Sequence, residues 1–191
     1  MKKLHLLTAI AVLAFASQAS FAKEAFKLSS SDIKAGSRID VKHVFKGFGC
    51  DGGNLSPALA WSGAPAGTKS FALMVHDANA PTGGAGWWHW VAYNIPAETK
   101  GFDQGAGTAD GAKLPKGTVQ GTTDFGAAGW GGPCPPEGHG VHKYIFTLYA
   151  IKTDKLDIPA GATASLAGYM INGNSLGNAK LLGTYSRSKA K

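Results

Sequence analysis

Three separated stretches hold the residues able to do chemistry: His76-Asp77-Ala78-Asn79-Ala80-Pro81, then Gly86-Trp87-Trp88-His89-Trp90, then Gly131 to Pro136 running on through His139 to His142-Lys143-Tyr144. An aspartate and several imidazoles suit three chemistries: a metal site, a general acid-base site, or a receptor for an anion such as phosphate. For a metal, His76, His89, His139 and His142 would join the carboxylate of Asp77. They lack compact ligand spacing, since His139 and His142 stand in a glycine-rich loop and not at helical or finger-like spacing. For hydrolysis, a His-Asp pair needs a nucleophile. No Gly-x-Ser-x-Gly elbow occurs, which leaves Cys134, beside two prolines and near His142. For an anion, the parts required are imidazole N–H, phenol O–H and backbone N–H groups made reachable by glycine, and all are present. The stretch from Gly129 to Gly140 offers such backbone, and its prolines limit the entropy lost in holding a loop around a ligand. Asp77 would then accept an imidazole N–H, orient the ring and favour its protonated form.

These residues must be carried by short elements. The chain has 27 glycines and 9 prolines and few long stretches free of both, as expected of strands joined by turns. The clearest predicted strands are Phe71 to His76, Trp87 to Asn94 and Lys143 to Ile151. If they pair, Asp77, His89 and His142 meet at one sheet edge. Strict alternation puts Trp88 and Trp90 on one face of the second strand and Trp87 and His89 on the other. Weaker strands are expected at Ile39 to Phe45, Ala58 to Trp61, Thr118 to Gly121 and Leu181 to Tyr185. One helix is expected from Ala162 to about Ser175, capped by Thr163, with Leu166, Tyr169, Met170 and Gly173 near one face. Phe102 to Lys116 reads as a surface excursion. Gly47, Gly49 and Gly52 satisfy G-x-G-x-x-G, yet Asn54, Ser56 and Pro57 follow in place of the helix a dinucleotide site requires, so a tight loop is expected.

The first 22 residues read as a secretory leader: Lys2 and Lys3, an apolar run from about Leu6 to Phe15, and small Ser20 and Ala22 before Lys23. That run is shorter than the roughly 18 residues of a membrane span. A single exported domain from 23 to 191, periplasmic or secreted and not inserted in the membrane after processing, is the expectation. The net charge of +7 falls to about +5 without the two leader lysines. The remaining lysines are scattered, without the aromatic-studded basic stripe of a nucleic-acid binder. Cys50 and Cys134 allow one intramolecular disulfide in an oxidising compartment, which competes with a reactive Cys134.

Together the three stretches resemble the phosphatidylethanolamine-binding protein family, in its bacterial Raf kinase inhibitor-like branch. The resemblance also takes in Phe48-Gly49-Cys50-Asp51-Gly52-Gly53-Asn54 with Ser56-Pro57, Trp88-His89-Trp90 with Asn94-Ile95-Pro96, and Thr123-Asp124-Phe125-Gly126. It implies a mainly β fold, with a central antiparallel β-sheet, a smaller second sheet and a few flanking helices. It implies a small anion-binding cavity near a sheet edge, lined by Asp77, His89, Gly132, His142 and Tyr144, with Pro135 and Pro136 in the wall and Tyr185 as a C-terminal contributor. It further implies a cis bond before Pro81. Where the family pattern reads Asp-Pro-Asp-Ala-Pro, this chain has Ala78 and Asn79 in place of the first proline and the second aspartate. One carboxylate fewer suits phosphate better than a whole phosphoethanolamine group.

The leading expectation is therefore a non-catalytic binding protein for a small anionic or phosphorylated ligand, using no cofactor and no metal. An inhibitor or interaction protein acting on a periplasmic or secreted enzyme is a second reading. A metal-dependent or cysteine hydrolase is a third, and a homodimer is compatible with all of them.

Overall fold

A computed structural model describes residues 24–189; the expected leader lies outside the described residues. In chain order the elements are β1 (Lys27–Ser29), β2 (Lys46–Gly47), β3 (Cys50–Asp51), β4 (Leu59–Ser62), β5 (Ser70–Asp77), β6 (Trp87–Pro96), β7 (Gly101–Phe102), β8 (Val119–Gln120), β9 (His142–Ile151), α1 (Ala164–Gly173) and β10 (Ser175–Tyr185). The fold is mainly β. A five-stranded antiparallel sheet runs β10-β9-β5-β6-β8, a three-stranded sheet runs β1-β4-β7, and β2 and β3 form a hairpin.

Each face of the central sheet buries its own core. Phe71, Leu73, Val75, Trp90, Ala92, Tyr144, Phe146 and Leu148 meet Leu28, Leu59, Trp61 and Phe102 of the smaller sheet. Ala72, Met74, Val91 and Ile151 meet Ala164, Ala167 and Ile171 of α1. β5 is covered on both faces, which is why Ser70–Asp77 reads as an almost continuous apolar run.

Three expectations are corrected. Ile39 to Phe45 is not a strand: Asp40 accepts the Lys42 N–H and caps a 3-10 turn at Val41–His43, a local side-chain bond that competes with sheet pairing. In α1, Thr163 caps as expected, but the buried face carries Ala164, Ala167, Gly168 and Ile171, leaving Leu166 and Tyr169 exposed. Small residues let the helix lie close to the sheet, with Gly168 against Met74. The bond before Pro81 is not cis: Thr82 N–H donates to the Ala80 carbonyl at 2.8 Å, so a three-residue turn built on proline's fixed φ reverses the chain.

Cys50 and Cys134 are joined in a disulfide that closes an 84-residue separation. It pins the β2-β3 hairpin to the loop before β9. Arg187 braces the same junction, donating to Gly49 O at 2.8 Å and Glu137 Oε1 at 2.7 Å. Chain entropy alone makes such a closure worth about 4.5 kcal/mol. Reduced protein, or a Cys50→Ala/Cys134→Ala double variant, should melt at a markedly lower temperature. An unchanged midpoint in calorimetry would show that the crosslink adds nothing beyond the packing of the hairpin.

Candidate functional site

Because β5 lies between β6 and β9, its last residue, Asp77, stands across from both Trp87 and Tyr144, and His142 opens β9 two residues before Tyr144. Asp77 is buried at 3% exposure and His142 at 1%. His142 Nδ1 donates to Asp77 Oδ2 at 2.6 Å, and the second carboxylate oxygen accepts the Asn79 N–H at 2.9 Å. Asn79 in turn accepts the Lys143 N–H through its amide oxygen, tying the turn to β9. The residue that replaces an acidic one therefore holds backbone together.

His89 reaches the same place by an irregularity. Val75 pairs with Trp90 and His76 with Trp88, so His89 is an extra residue in the ladder. The bulge breaks strict alternation: Trp90 enters the core beneath the smaller sheet, Trp88 packs toward the opposite core, and Trp87 and His89 line a cavity. The expected pairing of Trp88 with Trp90 on one face is thereby overturned. His89 Nδ1–H donates to the Gly131 carbonyl at 2.6 Å, which leaves Nε2 free to meet a ligand.

The cavity holds about 310 Å³ and is lined by Asp77, His89, His142, Tyr144, Pro135 and Pro136 among the expected residues. Gly132 and Tyr185 lie outside its wall. Gly132 N–H is bonded to Asn54 Oδ1 at 2.8 Å, and its Cα packs so closely on the His43 carbonyl that a side chain would collide there. Tyr185 is the register partner of His142 and lies under the guanidinium of Arg38. Phe48, Trp87 and Phe125 complete the wall as aromatic surfaces. Phe48 occupies the left-handed region at φ 52 in the two-residue turn between β2 and β3, where the G-x-G-x-x-G pattern lies. It remains 69% exposed and stacks on Phe125. The sequence cue for this rim was its place within the motif stretches; the rings of Phe45, Phe48 and Phe125 pack on one another there.

Two buried donors stand on this wall: Trp87 Nε1–H, which has no hydrogen-bond partner, and Tyr144 O–H, which shares the Asp77 carboxylate. Burial, then the nearby charge of Asp77, holds the Tyr144 phenol protonated far above its usual range. Burial also pushes His89 down to about 4, against the opposing pull of the Gly131 carbonyl and the Asp77 charge. His89 is therefore neutral at neutral pH. The Cys134 thiol that the hydrolase reading requires is consumed in the disulfide. Among the described residues, no three His, Cys, Asp or Glu side chains converge as metal ligands would.

The sequence profile described as phosphatidylethanolamine-binding protein matches residues 29–186. The chain belongs to that family. It is 48% identical over 185 residues to the UPF0098 protein YbcL of Escherichia coli (strain K12), covering 97% of this chain and 98% of the relative. The crystal structure of E. coli YbcL, described as a new member of the mammalian PEBP family, superposes with a TM-score of 0.82 at 49% identity, over 86% of this chain and 99% of that one. A homolog from Chlamydia trachomatis, CT736, gives 0.72 at 29% identity, over 86% and 99%. A relative named as a lipoprotein, LppC of Mycobacterium tuberculosis (strain H37Rv), is 35% identical over 164 residues, 86% of this chain and 74% of its own. Among the described residues no helix is long and apolar enough to cross a membrane.

The depressed His89 value has a stability consequence. A histidine whose folded pKa lies below its unfolded one stabilises the fold fully above about pH 6.5, and this contribution is lost as pH falls towards 4. The melting temperature should drop across that window by the equivalent of roughly 3 kcal/mol. A His89→Gln variant, with no charge to acquire, should lose less over the same range; parallel curves for the two proteins would remove His89 as the cause.

Proposed function

We propose that this protein is an exported, non-catalytic binding protein whose cavity takes a phosphate or phosphate-like group, free or on a phosphorylated head group. The observation that carries the reading is the convergence of donors on one buried wall: Trp87 Nε1–H, which has no partner, beside Tyr144 O–H, His89 and His142. A buried donor left unmade costs about 1–3 kcal/mol, and an oxyanion offers acceptors on all sides. The aromatic rim of Phe48 and Phe125 suits an apolar portion attached to that group. The family's name, which is that of a phospholipid binder, supports the same chemistry. With Asn79 engaged on backbone, this end of β5 brings no second carboxylate to hold an ammonium.

Isothermal calorimetry with inorganic phosphate and with phosphoethanolamine should give saturable binding to the wild type. Affinity should fall at least about tenfold in His142→Ala. No heat with any phosphorylated probe, or equal affinity in the variant, would end this reading.

The leader at 1–22, the disulfide and the lipoprotein name of one relative support export of a single domain beginning at Lys23. Mass spectrometry of protein recovered from a periplasmic or culture fraction should give an N-terminus at Lys23. An intact Met1 on the fractionated protein would refute the cleavage.

A further inference from the structure

His139 sits outside the cavity wall, exposed, between Gly138 at φ 70 and Gly140 at φ 92. Its Nδ1 nevertheless lies 2.8 Å from Nε2 of His142. Since His142 Nδ1 is already committed to Asp77, Nε2 is the one nitrogen His142 has left to offer a ligand, and His139 occupies it. A gap of 2.8 Å between two ring nitrogens holds one hydrogen. One ring donates and the other accepts, so the contact survives with a single shared proton and is abolished when both rings are protonated.

We propose that His139 is a further anion-binding residue of this cavity, which rests as the one-proton partner of His142 and swings out when both rings are protonated, so that both imidazolium groups face the oxyanion. The inference rests on the anion reading of the cavity. The charge balance of the cluster favours such a second imidazolium. Asp77 is negative and His89 is neutral near pH 7, so with one proton shared between His139 and His142 the group has no positive charge to offer. With two protons it has one. Gly138 is held, with its N–H on the Arg187 carbonyl at 3.0 Å and its Cα against the Lys189 chain, whereas a Cβ at position 140 would meet nothing within 4 Å, so the room for the His139 side chain to turn lies on the Gly140 side.

The other titratable and charged groups around the pair are Tyr144 on β9, Tyr185 opposite His142 on β10, and, at the loop, Glu137 bonded to Arg187 and the Lys189 chain beside Gly138. All of these remain in a His139→Ala variant. The pair therefore differs from the variant by one proton-carrying group.

Sulfate keeps its charge across the range in which imidazoles titrate, which makes it the cleaner probe. Calorimetry at several pH values from about 5.5 to 8 should show log Kd for wild type changing with a slope approaching about two per pH unit, and in His139→Ala a slope of about one or less. At the acidic end wild type should bind about tenfold more tightly than the variant. Equal slopes and affinities in the two proteins would overturn the role of His139 while leaving the anion cavity standing. Absence of both sulfate and phosphate binding to wild type at every pH would overturn both. Without ligand, the 15N resonance of His142 Nε2 should shift in His139→Ala at pH 8; an unchanged resonance would refute the resting contact.

Discussion

A carboxylate buried at the end of a strand flanked on both sides must have its charge compensated locally, and Asp77 is placed there with His142 on one oxygen and the Asn79 N–H on the other. Everything else at this end of the molecule follows from that pair. It fixes the tautomer of His142, because Nδ1 must carry the hydrogen given to Asp77. It leaves Nε2 as the nitrogen available for exchange between a neighbouring residue and a ligand. With burial as the larger cause, it also helps keep the Tyr144 phenol protonated, since a second negative charge beside Asp77 is disfavoured.

The cavity around this pair is assembled from segments far apart in the chain. β5, β6 and β9 supply Asp77, His89, His142 and Tyr144, while the loop from Gly129 to Gly140 supplies the facing wall. That loop has no ladder of its own. It is held by the disulfide to β3, by Asn54, whose amide spans Trp130 O and Gly132 N, by Arg187 on Pro135 O, and by His89 on Gly131 O. Redox state, the C-terminal Arg187 and the β2-β3 hairpin are thus coupled to the shape of the site. The histidine that lines the cavity is also one of the fasteners of its wall.

The two cores bear on the site through stiffness. Trp130 stacks on Phe146 and packs edge-on against Trp90, so the root of the cavity loop is embedded in the core beneath the smaller sheet. The far part of the loop, around Gly138 to Gly140, stands outside that core. A wall anchored at its root, with His139 exposed at its tip, is suited to holding a small ligand while one side chain changes partner.

By itself the sequence determined the three strongest strands, the helix cap at Thr163 and the gathering of Asp77, His89 and His142 at one edge, while its motifs, through their resemblance to the family, added Tyr144. These are legible because strand periodicity and local capping are short-range, and because strong strands with a polar residue at the end leave few places for that residue to go. Tertiary structure decided the rest. Ser175 to Lys180 lacks a strand's apolar character and is extended because β9 offers it an unpaired edge. The buried face of α1 was set by how closely a helix can approach Met74, which favoured alanine and glycine over Leu166 and Tyr169. The bulge at His89 turned Trp88 and Trp90 to opposite faces, because register is a property of two strands and not of one. The contact of His139 with His142 was likewise invisible in a spacing of three within a glycine-rich loop, since only the folded loop brings the two rings within one hydrogen bond.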